Sequence, residues 1–209
     1  LEDANSRTNL TRIQGEEDFA ERHVLDALLP LRLLDGLVEG HPAPLLFDVG
    51  SGCGVPGVPL AIARPSWRMT LVETANRKAR CLEELKPRFA GRLDVVSERA
   101  ELVGRDPLFR DQGDLALARA VGSVPLVLEL TLPLVRPGGA VLLYRGPLDE
   151  VEREEAVRVG AQLGGGEVAH HAARLPSGAE RSFLIVRKVE PTPERYPRRP
   201  GVPGKRPLS

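Results

Sequence analysis

A short apolar run that breaks into closely spaced glycines constrains the fold of this chain more than any other feature. Residues 45–49 are apolar apart from Asp48, as in a strand buried on both faces of a parallel sheet. Four glycines occupy the next eight residues, at Gly50, Gly52, Gly54 and Gly57. An apolar stretch at 59–63 then predicts a helix with proline near its start. Strand, glycine turn and helix together bring backbone N–H groups and a helix N-terminus close to a ligand.

The glycine spacing helps to distinguish between two classes of cofactor. A dinucleotide fingerprint has glycine or alanine at the position of Val55, because a diphosphate requires close contact there. S-adenosylmethionine (SAM) has no phosphate, so Val55 favours SAM. Glu73 follows a second predicted strand at 69–72, and an acid at this point can accept both ribose hydroxyls of either cofactor. A glycine-rich turn without a ligand is the alternative.

Two further predicted strands end in residues that would complete a binding site. Ala100 and Glu101 follow the predicted strand 93–97, where folds of this kind hold an adenine ring through a backbone N–H and a carboxylate. Arg119 ends the predicted strand 114–118 and points into the crevice where open α/β sheets bind ligands. The structural alternatives are an acid at a helix N-terminus for Glu101 and an ion pair with Glu129 for Arg119.

The order of elements predicts an α/β, Rossmann-like fold. Helices alternate with strands from 45 to 146, and two of these helices are predicted over 76–89 and 124–134. This alternation indicates a doubly wound, mainly parallel sheet of about seven strands. A terminal antiparallel hairpin is predicted over 167–174 and 181–188. An N-terminal helical extension is predicted over 16–29, with Pro30 ending or kinking it.

Composition limits the partners and the compartment. The 209 residues include 29 basic and 29 acidic side chains, so a nucleic-acid-binding surface has to concentrate its positive charge locally. No apolar run approaches transmembrane length, no secretory signal opens the chain, and Cys53 and Cys81 lack metal-ligand spacing. We therefore expect a cytoplasmic monomer without a metal ion or membrane association. Because the first residue is Leu1, we also expect residues that precede it.

Positive charge is densest beyond residue 190, where repeated prolines argue against a core element. Arg198, Arg199 and Lys205 are candidate contacts to RNA phosphates, and a solvated tail is the alternative. Near the other end, His23 and Asp26 lie three residues apart on a predicted helix and therefore share a face. A structural His–Asp pair is the interpretation that the residues themselves favour.

The absence of certain motifs from the sequence limits which atom could accept a methyl group from SAM. Neither Asn-Pro-Pro-Tyr nor Asp-Pro-Pro-Tyr, which accompany methylation of exocyclic amines, follows the fourth predicted strand, and no Pro-Cys for attack on a pyrimidine carbon is present there. A ring nitrogen such as N7 of guanine has a free lone pair and needs no general base, so alignment of the reactants suffices.

Two alternative functions remain open. One is a SAM-dependent enzyme with a small-molecule or protein substrate, and the other is a non-catalytic RNA- or ribosome-binding module. A nicotinamide dehydrogenase is disfavoured by Val55.

These motifs resemble those of the bacterial small-subunit ribosomal RNA guanine-N7 methyltransferases, over nearly the whole chain. The likeness is carried by the run 48–60, Arg99-Ala100-Glu101, Ala118-Arg119-Ala120, Asn9-Leu10-Thr11, His23-x-x-Asp26 and Tyr196-Pro197-Arg198-Arg199-Pro200-Gly201. The chain departs from that family at two positions. Ala27 replaces the usual serine, and Arg145 replaces the usual lysine, which keeps the charge but changes the donor geometry.

The resemblance implies a class I SAM-dependent methyltransferase that transfers a methyl group from SAM to N7 of a guanosine in small-subunit (16S) ribosomal RNA, near the decoding region. It implies ribosomal RNA or the 30S subunit as partner, further N-terminal helices, and low-level streptomycin resistance when the enzyme is lost. The expected segments are an N-terminal helical segment (1–40), a SAM-dependent methyltransferase domain (41–189) and a basic, proline-rich C-terminal tail (190–209).

The predicted site combines the motif residues of the resemblance with the strand-end residues described above. The predicted catalytic residues are Arg119 and Arg145. The predicted cofactor contacts are Asp48, Gly50, Gly52, Gly54, Val55, Glu73, Ala100, Glu101 and Arg119. The predicted RNA contacts are His23, Arg145, Arg198, Arg199 and Lys205. No metal ligands are expected.

Overall fold

The computed structural model describes residues 15–209, and residues 1–14, with the predicted motif Asn9-Leu10-Thr11, lie outside the described part. The described strands are β1 (Leu45–Val49), β2 (Arg68–Val72), β3 (Leu93–Val96), β4 (Gly113–Arg119), β5 (Val135–Arg145), β6 (Gly165–Arg174) and β7 (Glu180–Lys188). The described α-helices are α1 (Glu16–Phe19), α2 (Asp26–Leu28), α3 (Leu31–Leu37), α4 (Gly57–Ala63), α5 (Asn76–Glu83), α6 (Ala100–Val103), α7 (Val124–Thr131), α8 (Glu150–Gln162) and α9 (Val202–Lys205).

One sheet contains all seven of these strands, in the order β3-β2-β1-β4-β5-β7-β6. Strands β1 to β5 are parallel, and β7 runs antiparallel to both β5 and β6. The predicted fold is thereby confirmed, including its terminal hairpin. Val49 is aligned with Val72 on one side and Ala118 on the other, so the residues that follow β1, β2 and β4 emerge at one edge. The strand order reverses between β1 and β4, where open α/β sheets bind ligands.

Both faces of the sheet are covered, as the apolar strand sequences predict. Along β1, Leu46 faces one core cluster with α3, α4 and α5, whereas Phe47 faces the other with α7 and α8. Successive strand residues point to opposite faces, so a strand that is buried on both faces has to be apolar throughout. Asp48 is the exception within β1, and it is fully buried.

The N-terminal helices pack directly on the sheet. A π-helical stretch, Ala20–Leu25, joins α1 to α2, and Pro30 separates them from α3. Leu34 of α3 belongs to the core, and the hydroxyl of Tyr144 donates to the carbonyl of Ala27 at 2.8 Å. The segment is therefore held against the end of β5. Within residues 15–209, no helix is both long and apolar enough to cross a bilayer.

Two predicted helices are shorter than expected. The helix predicted over 76–89 ends at Glu83 and gives way to a 3₁₀ turn, Lys86–Phe89, and the helix predicted over 124–134 becomes a 3₁₀ turn at Leu132–Leu134. Each turn carries a proline, Pro87 or Pro133, near its start. Proline lacks the N–H that an interior helical residue donates, which explains both interruptions.

The expectation of a C-terminal tail that contributes nothing to the core is wrong. Tyr196 belongs to the core cluster, and Thr192 is buried. Prolines prevent regular pairing of this segment, but they leave its carbonyl groups available as acceptors. Arg110 donates to the carbonyls of Thr192 and Tyr196, at 2.5 and 2.9 Å, and Arg105 donates to that of Pro197 at 2.7 Å. Guanidinium groups thus replace the missing backbone donors.

Candidate functional site

The glycine loop between β1 and α4 is folded tightly against the end of β2. Gly50, Gly52 and Gly54 have φ values of 72°, 59° and 89°, a region that side chains with a Cβ rarely adopt. The N–H groups of Gly50 and Ser51 both donate to the carbonyl of Val72, at 2.9 and 3.1 Å. A Cβ on Gly50 would lie 2.7 Å from Val121. The loop therefore requires glycine for both its backbone conformation and its close packing.

Gly57 has a role that the sequence motif did not reveal. Its N–H starts α4 and donates to Oδ2 of Asp48 at 2.9 Å. A Cβ at this position would approach Leu71 to 2.4 Å and the same carboxylate oxygen to 2.8 Å. Gly57 therefore provides the close helix–strand contact. In the sequence, the pattern Pro-Gly-x-Pro at 56–59 was the one indication that Gly57 differs from an ordinary turn residue.

Asp48 is a buried carboxyl beneath the loop. It is 0% exposed, and among residues 15–209 no hydrogen-bond partner reaches its second oxygen, Oδ1. Burial raises its pKa from 3.8 to about 7, against the opposing effect of the hydrogen bond from Gly57. Asp48 thus holds the start of α4 and keeps an unused acceptor at the loop.

Glu73 joins the second strand end to the glycine loop. Its Oε2 accepts the N–H of Gly52 at 2.8 Å, and its Oε1 accepts the N–H of Ala75 at 2.7 Å. The carboxylate is buried, yet each oxygen keeps further lone pairs that can accept hydroxyl groups. The structure therefore brings the predicted ribose-binding acid into direct contact with the predicted glycine loop.

The residues after β3 are connected to the C-terminal segment. Glu101 is buried at the start of α6, and its Oε1 accepts from the guanidinium of Arg99 at 2.6 Å and the N–H of Gly201 at 2.8 Å. Burial acts to raise the pKa of Glu101, but the bonds from Arg99 and Gly201 outweigh it and lower the pKa. Ala100 is also buried beside it. The contact with Gly201 was not expected from the sequence.

Arg119, at the end of β4, is paired with the N-terminal helices. Its guanidinium donates to Oδ2 of Asp26 at 2.9 Å and to the carbonyl of Arg22 at 3.0 Å. The other oxygen of Asp26 accepts from Arg181 of β7 at 2.8 Å. The alternative pairing of Arg119 with Glu129 is therefore wrong. Asp26 and Arg181 are members of this cluster that the sequence did not bring together.

His23 lies in the interior beside Arg119. It is 4% exposed, its Nδ1 lies 3.1 Å from the Arg119 guanidinium, and its ring packs edge-on against Phe19. Burial lowers its pKa, and the positive charge of Arg119 lowers it further. The predicted His–Asp helix face is therefore present, but both members are directed at Arg119. The surroundings of His23 therefore favour a neutral ring that supports the guanidinium of Arg119.

Arg145, at the end of β5, is held by two acceptors. Its guanidinium donates to the carbonyl of Gly122 and to the carboxylate of Glu152 in α8. Arg145 and Arg119 both line a cavity of about 390 Å³ at the strand ends, together with Arg22, Asp26, Glu152 and Arg181. The two residues predicted as catalytic thus share one cavity beside the glycine-loop edge.

The predicted RNA contacts in the C-terminal segment differ in their surroundings. The guanidinium and backbone N–H of Arg198 are bonded to the buried carboxylate of Glu129, with a closest contact of 2.6 Å. Arg199 and Lys205 are exposed. Arg198 therefore anchors the segment to α7, and its neighbours provide the outward positive charge. Among residues 15–209, no group of three His, Cys, Asp or Glu side chains is arranged to hold a metal ion.

Comparison with known proteins relates this arrangement to one family. The family model described as "GidB: rRNA small subunit methyltransferase G" matches residues 1–175. A protein of Pelotomaculum thermopropionicum named Ribosomal RNA small subunit methyltransferase G is 42% identical over 206 residues, covering 98% of this chain and 84% of the relative. One of the same name from Moorella thermoacetica is 40% identical over 210 residues, covering 100% of this chain and 86% of the relative.

Solved structures with lower identity share the fold. A 16S rRNA adenine-N1 methyltransferase from Catenulisporales acidiphilia, crystallised with SAM, has a TM-score of 0.54 at 22% identity and covers 78% of this chain and 93% of its own. The 1,6-didemethyltoxoflavin-N1-methyltransferase of Burkholderia thailandensis, crystallised with S-adenosylhomocysteine, has a TM-score of 0.60 at 17% identity and covers 80% of each chain. Both support a class I methyltransferase architecture.

Proposed function

The chain belongs to the rRNA small subunit methyltransferase G family, and on that premise we propose that it transfers a methyl group from SAM to N7 of a guanosine in small-subunit ribosomal RNA. The observation that most supports a cofactor site is the meeting of the glycine loop with Glu73 at the ends of β1 and β2. The specific base and ring nitrogen rest on the family resemblance and on the chemistry below. The ribosomal substrate in turn supports a cytoplasmic location.

The residues at the strand ends fit SAM. The loop is open at Gly52, where an added Cβ would meet only the carbonyl of Gly50, at 3.9 Å, and the amino-acid tail of SAM is proposed to lie there, with Val55 continuing the loop. Asp48 keeps a buried oxygen without a partner in the described chain, as a site for a cationic, donor-rich ligand does. Glu73 would hold the ribose hydroxyls, and Ala100 with Glu101 would hold the adenine.

In methyl transfer, the proposed role of the protein's residues is to orient the guanosine relative to SAM. When bound, SAM supplies an electrophilic methyl group carried by a sulfonium. N7 of guanine has a lone pair and no proton to remove, so the reaction needs no general base. Arg119 and Arg145 are proposed to hold the guanosine at the strand ends so that N7 faces the methyl group, a proximity effect. The hydrogen bonds that Arg119 donates to Asp26 and that Arg145 donates to Glu152 restrict both guanidinium groups to the cavity wall.

The experiment that tests this function is the transfer of labelled methyl groups to small subunits that lack the modification. Incubation of the protein with such subunits and methyl-labelled SAM, followed by digestion of the RNA, identifies the labelled nucleoside and its position. We expect a single 7-methylguanosine. Label on an exocyclic amine, on a ring carbon or on ribosomal protein would contradict the proposal.

Two further arms define the RNA substrate and test the alternative of a non-catalytic module. Protein-free small-subunit RNA, offered in parallel, determines which form of the RNA is the substrate. Titration of the protein with SAM alone tests the non-catalytic module, because a module without the cofactor site would show no saturable binding. Glu84→Ala, an exposed change at the C-cap of α5, serves as the control variant in each arm.

A further inference from the structure

The cavity at the strand ends is lined by several charged side chains. Its walls contribute four guanidinium groups, from Arg22, Arg119, Arg145 and Arg181, and two carboxylates, from Asp26 and Glu152. The volume of about 390 Å³ is large enough for a nucleoside. A base that enters such a cavity would be read by the groups that still have hydrogen-bonding capacity.

The carboxylates of Asp26 and Glu152 differ in how many further hydrogen bonds they can accept. Each oxygen of Asp26 is occupied by an arginine, Oδ2 by Arg119 and Oδ1 by Arg181, and its side chain is only 7% exposed. Glu152 has Arg145 as its one side-chain partner among residues 15–209, on Oε1, and its side chain is 25% exposed. Asp26 is therefore a structural link, whereas Glu152, which lines the cavity, retains lone pairs on both oxygens.

Glu152 is held in a fixed position. It is the third residue of α8, and its N–H donates to the side chain of the N-cap residue Asp149 at 2.8 Å. Arg145 holds the carboxylate from the strand side. The backbone and the head group of Glu152 are thus both restrained, as a residue that selects a ligand by hydrogen bonding has to be.

Guanine and adenine differ at the edge that a carboxylate recognises. Guanine presents N1–H and the N2 amino group as adjacent donors on its Watson–Crick edge, and adenine presents an acceptor at N1 and no amino group at C2. A carboxylate can accept both guanine donors at once, and it faces the adenine N1 lone pair with its own negative charge. In RNA recognition, this edge is read once the base is unstacked.

The position of Glu152 agrees with the orientation that N7 transfer needs. The glycine loop follows β1, Arg119 ends β4 and Arg145 ends β5, and these strands are consecutive in the sheet. Neighbouring strands lie about 4.8 Å apart, so α8 after β5 lies on the far side of the cavity from the glycine loop. In guanine, N7 and the N1–N2 edge lie on opposite sides of the ring. A base with N7 towards the loop therefore turns its donors towards Glu152.

We infer that Glu152 is a specificity-determining residue that accepts N1–H and the N2 amino group of the target guanine, with Arg145 orienting its carboxylate. This inference rests on the proposed function, because it presumes that guanosine is the substrate. Glu152 selects the base and is not part of the methyl-transfer step.

A cycle that combines a protein variant with a base analogue tests this inference. Small-subunit RNA is prepared with guanosine or inosine at the methylated position, since inosine keeps N7 and N1–H but lacks the N2 amino group. With the unaltered protein, we expect kcat/KM to fall about 10- to 100-fold on inosine, the range for a hydrogen bond to a charged group. With Glu152→Gln, we expect lower kcat/KM on guanosine and a penalty for inosine within about threefold.

The outcomes separate the inference from the proposed function. An unchanged inosine penalty in Glu152→Gln would overturn the inference, because a purely structural role lowers the rates on both substrates equally. Equal rates on guanosine and inosine with the unaltered protein would overturn it without any variant. Failure of the proposed function would appear earlier, as methylation of another atom or base. Glu150→Gln, an exposed acid of the same helix paired with Arg153, is the matched control and should leave both rates unchanged.

Discussion

Glu129 and Arg198 connect the interior of α7 to the C-terminal segment. Glu129 is 0% exposed, and it accepts the backbone N–H of Arg198 at 2.8 Å and its guanidinium Nη2 at 2.6 Å. The side-chain hydrogen bond to Glu129 raises the pKa of Arg198. The pair fixes the chain direction just before Gly201, whose N–H binds Glu101. One buried carboxylate thus supports the segment that contacts the proposed adenine-binding acid.

Replacing Arg198 with alanine should destabilise the fold strongly. The substitution leaves the buried carboxylate of Glu129 without its guanidinium, and breaking such a pair costs about 3–5 kcal/mol of unfolding free energy. Chemical denaturation followed by circular dichroism provides the measurement. The adjacent Arg199→Ala is the control, since Arg199 is exposed and its loss should change stability by about 0.5 kcal/mol or less. Equal stability of the two variants would contradict the buried pairing.

Arg199, next to the buried pair, should contribute to RNA binding. Arg199 is exposed beside the pair, so Arg199→Ala should weaken binding to small-subunit RNA while SAM affinity stays the same. Loss of one phosphate contact should reduce the slope of log affinity against log salt by about 1. Filter binding at several salt concentrations measures this slope. An unchanged slope would mean that Arg199 does not contact phosphate.

Because the pKa of Asp48 is raised in the folded chain, its contribution to the unfolding free energy should fall as pH rises. Its pKa is about 7 in the folded chain, against 3.8 as the ordinary value, so between these pH values the folded state binds more protons. The contribution of Asp48 to stability is therefore greatest at low pH and is lost as pH rises towards 7. Asp48→Asn removes the titrating group.

The measurement is the unfolding free energy of both proteins from pH 5 to 8. Relative to Asp48→Asn, the unaltered protein should lose stability up to about pH 7, the folded-state pKa, and then level off. Subtracting the two curves removes the contribution of other titrating groups. Parallel curves would show that Asp48 does not titrate in this range.

Glu73→Ala should weaken SAM binding by about tenfold or more, because charge-assisted hydrogen bonds to the ribose hydroxyls are lost. The variant also loses the bond to the N–H of Gly52, which loosens the glycine loop. Isothermal titration with SAM measures the affinity, with Glu84→Ala as the exposed control. Affinity equal to that of the control would remove Glu73 from the cofactor site.

Arg119→Ala should lower kcat more than it changes the KM for SAM. The guanidinium lies at the end of β4, and its loss leaves Arg181 as the remaining side-chain donor to Asp26 within residues 15–209, so we expect the cavity wall to shift. Misplacement of a bound reactant by about 1 Å can cost up to about 100-fold in rate. Steady-state rates with saturating RNA provide the measurement. Arg174→Ala, which affects an exposed pair with Glu180, should leave kcat unchanged, and a similar result for Arg119→Ala would exclude the proposed role.

Local patterns in the sequence predicted the strands, the glycine loop and the acid after β2. These features depend on neighbours in the chain: an apolar strand, glycines with positive φ, and an acid at a strand end. The sheet order then follows from the rules of doubly wound folds. Pro87 and Pro133 were equally visible in the sequence, and giving them their full weight as helix breakers would have shortened both overlong helices.

The pairings of Asp26, Glu129 and Glu101 could not be predicted in the same way. Asp26 meets Arg119 and Arg181 across 93 and 155 positions, and Glu129 meets Arg198 across 69. Each acid has many possible partners in a chain with 29 basic residues, and only the folded topology selects among them. The tail was misjudged for a related reason, because its carbonyl groups are satisfied by the distant side chains of Arg105 and Arg110.

The late position of Arg198 and Gly201 has a consequence for synthesis of the protein. Glu129 leaves the ribosome 69 residues before Arg198, which supplies the guanidinium that pairs with it. Glu101 has the guanidinium of Arg99 from the start and lacks only the N–H of Gly201, which follows 100 residues later. During that interval, the sheet can assemble around β1 to β5, but the carboxylate of Glu129 has no guanidinium beside it. A nascent chain therefore reaches its final packing only after translation has passed residue 201, and an early stop codon upstream of Arg198 would leave Glu129 as an uncompensated anion in the interior.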